Sequence, residues 1–183
     1  MTKYIALLRG INVGGNNIVK MADLKAAFER HGFQKVVTYI NSGNILFDSQ
    51  LDESAVREIC ERLIVEIFGI DIPVCVISAS DLRDALSHAP DWWNNGPDSK
   101  HNAIFVLPPL SAAEVIARVG ETKPETEQTD HYGKVIFWSA PLATFSHTRW
   151  SKIVQDKAMY RAITIRNANT ALKLAALAGE KQA

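Results

Sequence analysis

The spacing of apolar residues switches between two periods in a fixed order, and that order occurs twice along the chain. A period near 2 marks strands and a period near 3.6 marks helices. Tyr4–Leu8 is an apolar run closed by Arg9-Gly10 and reads as a central strand. Beyond a loop over residues 10–20, Met21, Leu24, Ala27, Phe28 and His31 share one face of a helix. Gly32 supplies the left-handed residue that stops it, and Phe33 is placed to pack back in a Schellman-type cap. Lys35–Ile40 and Ile45–Phe47 read as a hairpin around Asn41-Ser42-Gly43-Asn44. Asp52 or Ser54 caps a second helix with the stripe Val56, Ile59, Cys60, Leu63 and Ile67, and Gly69 ends it. Pro73–Ile77 is a further short strand. The order β-α-β-β-α-β is the split β-α-β, or ferredoxin-like, pattern.

The second half repeats the order loosely, with no residue-level repeat. Asn102–Leu107 is a strand, and Ser111 with Glu114 forms a capping box ahead of a helix closed by Gly120. Thr126–His131 and Lys134–Trp138 are strands joined at Tyr132-Gly133. A helix is expected near Thr148–Met159, a short strand at Ala162–Ile165, and a last helix from Asn167 to Ala178, ended by Gly179. The fold class is therefore α+β, two tandem ferredoxin-like subdomains with mainly antiparallel sheets. The division expected is residues 1–78, a bridging helix and loop over 79–101, and residues 102–183.

Twenty basic and twenty acidic residues cancel, which argues against a dedicated nucleic-acid or membrane-surface protein. No apolar run approaches the ~20 residues of a bilayer span. Cys60 and Cys75 are far apart and outside any paired motif, so they read as buried free thiols of a cytoplasmic chain. Histidines and carboxylates show no metal-ligand spacing, and no metal or cofactor is called for. No catalytic template is matched, which leaves open whether the chain is an enzyme.

Chemistry concentrates in three stretches. The first is Arg9-Gly10-Ile11-Asn12-Val13-Gly14-Gly15-Asn16-Asn17 with Lys20. Glycines let backbone amides converge on an anion, and a helix start adds partial positive charge, although the pattern is neither GxGxxG nor a P-loop. The alternative is a crossover loop with no ligand. The second is Ser42-Gly43-Asn44, a hairpin turn by itself. In a split β-α-β unit the turn emerges at the same sheet edge as the first loop, which makes the pair a better candidate than either alone. The third is Arg166, Asn167 and Thr170, where the last helix begins; a cap and an interface arginine are the plainer reading. The basic and aromatic segment 147–166, including Arg149, Trp150, Lys152, Tyr160 and Arg161, has a composition suited to single-stranded nucleic acid or to a solvated helix face. Trp92 and Trp93 would stack a ligand or pin their loop.

Three of these stretches, Arg9–Gly15, Thr38–Asn44 and Thr164–Thr170, together with Lys20-Met21-Ala22-Asp23-Leu24, strongly resemble the bacterial family called domain of unknown function 1697. Its pattern runs roughly LLRGINVGG, K-M-x-x-L, T-Y-I-x-SGN and T-x-RN-x-x-T, and the likeness spans nearly the whole chain. The resemblance implies two ferredoxin-like subdomains and no particular activity.

The expectation drawn is a small anionic or phosphorylated, nucleotide-like ligand at a sheet-edge site. Arg9 and Lys20 would supply charge, and Gly10, Gly14 and Gly15 close backbone approach. Asn12, Ser42, Gly43 and Asn44 would line it, with Arg166, Asn167 and Thr170 closing it from the second half. The alternatives are nucleic-acid binding through 147–166 and a protein-interaction module. The oligomeric state is left open.

Overall fold

A computed structural model of the chain describes residues 1–179. The chain forms two compact units, Met1–Leu82 with residues 174–179, and Arg83–Lys173.

The first unit contains β1 (Thr2–Leu8), α1 (Met21–Arg30), β2 (Gln34–Tyr39), β3 (Asn44–Ser49), α2 (Glu53–Phe68) and β4 (Val74–Ser78). Its sheet has the order β2-β3-β1-β4, and every pairing is antiparallel. β1 is central: Ile5 stands opposite Leu46 on one side and Ile77 on the other. Alternate residues Tyr4, Ala6 and Leu8 join one core with Leu24, Phe28, Val56, Leu63 and Val76. Ile5 and Leu7, which point to the opposite face, are equally buried. A strand buried on both faces must read as a continuous apolar run, and β1 does. Phe28, Phe33 and Phe47 form an aromatic cluster, with Phe33 and Phe47 centroids 4.4 Å apart. Each such ring contributes roughly 1.5–3 kcal/mol by leaving water.

The local signals hold in detail. Gly32 donates to Glu29 and Phe33 to Phe28, the two hydrogen bonds of a Schellman cap, with Gly32 at φ 88°. Of the two caps considered for α2, Asp52 serves: its carboxylate accepts from the Ala55 amide at 2.9 Å. Lys35 sits at φ 51° where the β2–β3 register shifts. This bulge leaves Lys35 and Lys3 both paired to the buried Asp48, at 3.3 and 3.1 Å.

The second unit begins within α3 (Ala79–Ser87) and continues through β5 (Ser99–Val106), α4 (Ala112–Val119), β6 (Gln128–Tyr132) and β7 (Val135–Pro141). Two 3-10 turns follow, Phe145–His147 and Trp150–Gln155. Then come α5 (Lys157–Arg161), β8 (Ile163–Asn167) and α6 (Ala168–Gly179), within which the unit ends. The sheet order β6-β7-β5-β8 repeats that of the first unit. Its core gathers Ile104, Val106, Val115, Ile136, Trp138, Trp150, Ile153, Met159 and Ile163. The expected α+β class, with two tandem subdomains and antiparallel sheets, is the one observed.

Two expectations need correction. The helix expected over Thr148–Met159 is a 3-10 turn and then the five-residue α5. Asp156 causes the break, because its carboxylate accepts from the Ala158 and Met159 amides and starts a new helix there. The strand expected from Thr126 begins at Gln128. Thr126 and Glu127 are held in a turn by the Lys123 carbonyl, at 2.8 and 3.0 Å, and Glu127 is 2% exposed.

Candidate functional site

In the first unit, the glycine-rich loop and the Ser42–Asn44 turn meet at one sheet edge. Leu8 donates its amide to the Gly43 carbonyl at 2.8 Å. Asn12 is the clip between the two segments: Nδ2 donates to the carbonyls of Val19 and Asn41, both at 2.9 Å, and Oδ1 accepts from the Val19 amide at 2.8 Å. Val13-Gly14-Gly15-Asn16 closes a tight turn through the Asn16 amide and the Val13 carbonyl, 3.1 Å apart. Gly14 and Gly15 lie at φ 58° and 79°, the pair of positive values a type I′ turn demands. Asn17 ties the loop's far end back by donating from Nδ2 to the Gly10 carbonyl.

The second stretch, Ser42-Gly43-Asn44, is equally engaged. Asn44 is fully buried and donates from Nδ2 to Tyr39 O and Ser42 Oγ. Gly43 is required twice over, by φ 74° and by lack of space: an added Cβ would stand 2.7 Å from Leu8 Cβ. Thus Asn12, Gly14, Gly15, Ser42, Gly43 and Asn44 build the edge. Of the cations, Arg9 is half-buried where β1 ends, and Lys20 is exposed just ahead of α1. Around this rigid tip three large apolar side chains are exposed, Val13 at 63%, Ile18 at 74% and Ile40 at 49%.

In the second unit, Arg166 lies on the β8 face opposite Ile163 and Ile165 and is buried. Its Nη1 donates to Thr164 Oγ1 and to the Ile165 carbonyl, at 3.0 and 2.9 Å. Asn167 caps α6, its Oδ1 accepting from the Thr170 amide at 2.8 Å. Beside that helix start opens a cleft of about 470 Å³. Its lining mixes polar side chains, Asn94, Lys100, His101, Asn102, Asn167 and Asn169 among them, with the apolar Phe145 and Ala168. Lys100 Nζ hangs 4.4 Å from the centre of the Phe145 ring at the cleft wall. His101 is fixed in place: it shares a hydrogen bond of 2.6 Å between Nδ1 and Ser139 Oγ and one of 3.1 Å between Nε2 and the Gly96 carbonyl. A carbonyl only accepts, so Nε2 carries the proton, and in the neutral ring Nδ1 receives the serine hydroxyl. A second cleft, of about 360 Å³ and including Trp92, Glu127 and Ser139, borders the same histidine.

Sequence reasoning named Asn167 here but missed Lys100, Asn94 and Asn102. A lysine and scattered asparagines carry no spacing signal, and β5 brings two of them beside α6 only through the Asn102–Asn167 register. It also missed Glu127, whose buried carboxylate accepts from Trp138 Nε1 and from the Arg149 and Trp150 amides. Of the aromatics that the basic segment would offer to a nucleic-acid base, Trp150 is 1% exposed and packs near Trp138, while Tyr160 is half-buried. Trp93 pins its loop, donating from Nε1 to the Asn102 carbonyl at 2.8 Å. Among the described residues, no cluster of His, Cys, Asp and Glu could hold a metal, and no helix is long and apolar enough to cross a membrane.

Two tandem subdomains, each with a four-stranded antiparallel sheet of the same strand order and with polar motifs gathered at loop and helix starts, define a class of duplicated α+β protein. The chain belongs to the family described as protein of unknown function DUF1697, whose profile matches residues 1–137. It is also similar to a solved structure, the conserved bacterial protein SP0830 from Streptococcus pneumoniae. That likeness has 34% identity and a TM-score of 0.84, over 97% of this chain and 98% of the other. No curated protein matches.

Proposed function

We propose that the chain binds a small anionic, nucleotide-like ligand, and that the cleft at the start of α6 is where it does so. The observation that carries this is Lys100 beside the first turn of α6 in an open cleft lined by asparagines. The leading amides of a helix and its dipole favour an anion, and the lysine adds a full charge. Asparagine amides both donate and accept, which suits the polar body of a nucleotide or sugar phosphate. Asn102 Nδ2, buried with no hydrogen-bond partner, is a donor in the same lining. On this reading the glycine loop and the Ser42–Asn44 turn serve as architecture. A cytoplasmic setting fits the two buried free thiols, Cys60 and Cys75.

Thermal shifts against nucleoside monophosphates, inorganic phosphate and small dicarboxylates test it. A ligand at a hundred times its Kd raises stability by about 2.7 kcal/mol, and Lys100→Gln should abolish the shift. Silence across the panel, or a shift untouched by Lys100→Gln, would remove the cleft as the site.

A second reading rests on the exposed Val13, Ile18 and Ile40. Apolar side chains on a rigid tip are the feature of a protein-contact surface. Its test is retention of a partner by the unaltered chain and its loss in Ile18→Lys.

A further inference from the structure

A third cleft in the second unit, of about 220 Å³, is lined by Arg118, Val119, Arg149, Lys152, Ile153, Asp156 and Met159. Three cations face one carboxylate. That carboxylate is already engaged, because Asp156 Oδ1 accepts from the Ala158 and Met159 amides. Among the described residues none of the three cations forms an ion pair within 4.0 Å. The nearest acid on Arg118's own helix, Glu114, is committed to the capping box with Ser111, and the charge of Arg118 is the smallest influence on its carboxyl.

Two of the cations are held in place. Arg149 Nη1 donates to the Val119 carbonyl at 3.2 Å, and the guanidinium lies against Gly120, where an added Cβ would stand 2.6 Å from Nη1. Arg118 Nη1 approaches Met159 Sδ at 3.9 Å. Val119, Ile153 and Met159 give the floor an apolar character, so charge stands around a surface of low polarity. A pair of guanidiniums with a lysine matches the oxygens of a phosphate group better than those of a single carboxylate.

We infer that this cleft binds a phosphate-bearing small anion, with Arg118, Arg149 and Lys152 as its donors. The inference is independent of the α6 cleft and uses none of its residues. It also separates the charge of the basic segment from any stacking role of Trp150, which is buried. Arg118 comes from α4, about thirty residues earlier, so the site was invisible to a scan of the 147–166 segment.

The test uses inorganic pyrophosphate as the probe, with calorimetry at low salt on the full chain. Arg149 is left intact because it caps α4. Arg118→Gln and Lys152→Gln are each expected to weaken binding about three- to tenfold, allowing for the exposure of both side chains. The double variant should abolish it, and raising salt should weaken binding in the unaltered chain. Lys100→Gln, which alters the other cleft, should leave it in place. Binding lost in Lys100→Gln and kept in the double variant would overturn this inference while supporting the α6 cleft. No heat with pyrophosphate would overturn it outright. Tighter binding of a ten-nucleotide RNA, lost in the same double variant, would overturn the small-ligand assignment.

Discussion

Gly43 packs directly against Leu8: the Leu8 amide meets the Gly43 carbonyl at 2.8 Å, and a methyl on Gly43 would stand 2.7 Å from Leu8 Cβ and 2.8 Å from Ile11 Cδ1. The backbone there is also left-handed, at φ 74°. Gly43→Ala therefore adds strain to a clash in a core that cannot yield, and should cost about 3 kcal/mol. Gly14→Ala, at φ 58° but with open space around it, should cost about 1 kcal/mol. Urea unfolding of the two variants checks the order; equal losses would mean that the close approach is unimportant.

Asn12 links segments that lie 29 residues apart in the chain. Asn12→Ala removes three hydrogen bonds and leaves the Val19 amide and two carbonyls to find water, at a cost of about 2 kcal/mol. Amide exchange should speed up over residues 10–20 while the strands stay protected. Unchanged exchange in the loop would show that its backbone holds without the clip.

Glu127 is a buried acceptor for three N–H groups. Glu127→Ala strands all three donors and should destabilise by about 3–5 kcal/mol. Glu127→Gln keeps one acceptor oxygen and should lose less. Near-ultraviolet circular dichroism reads the effect directly, because the Trp138 indole and the Trp150 amide both donate to the carboxylate. A fully stable alanine variant would refute the role.

Acid sensitivity should trace in part to Glu114. The Ser111 backbone amide first, and its hydroxyl next, hold this carboxyl below the ordinary glutamate range. A depressed folded-state pKa gives stability that is present above the unfolded value, about 4.3, and is lost as pH falls through the folded one. Melting temperatures of Glu114→Gln and the unaltered chain should converge as pH drops from 6 to 3. A constant gap would exclude the titration.

Burial pushes the Cys60 thiol far up from its usual value, and Cys75 is buried too. Since the thiolate is the reactive form, neither should react with a disulfide reagent at pH 8 in the native state, and both should react in denaturant. Rapid native labelling would show that the core around Cys60 opens.

What the sequence made legible is what local chemistry fixes. Gly32 with Phe33, and Ser111 with Glu114, satisfy backbone groups within one turn of themselves, so their spacing suffices to announce them. The meeting of the Arg9 loop with the Ser42 turn followed from strand direction alone. Asn12 and Glu127 were opaque because their partners lie on other elements, up to 29 residues away for Asn12 and 23 for Glu127. Residues 148–159 misled because their apolar spacing suits a helix, while a single carboxylate at Asp156 restarts the chain midway. The α6 cleft was only partly visible, since its lysine comes from a strand whose register no spacing reveals.

The central place of β1 also bears on how the chain is made. Its strand pairs with β3 and β4, so the seven residues of β1 have no sheet partner until residues 44–49 have been made, and their second partner waits for residues 74–78. An apolar segment must stay unpaired through that interval, exposed to whatever it meets. Slowing synthesis between residues 10 and 44 would prolong this state, and the early stretch Tyr4–Leu8 is where a nascent-chain chaperone would find its grip.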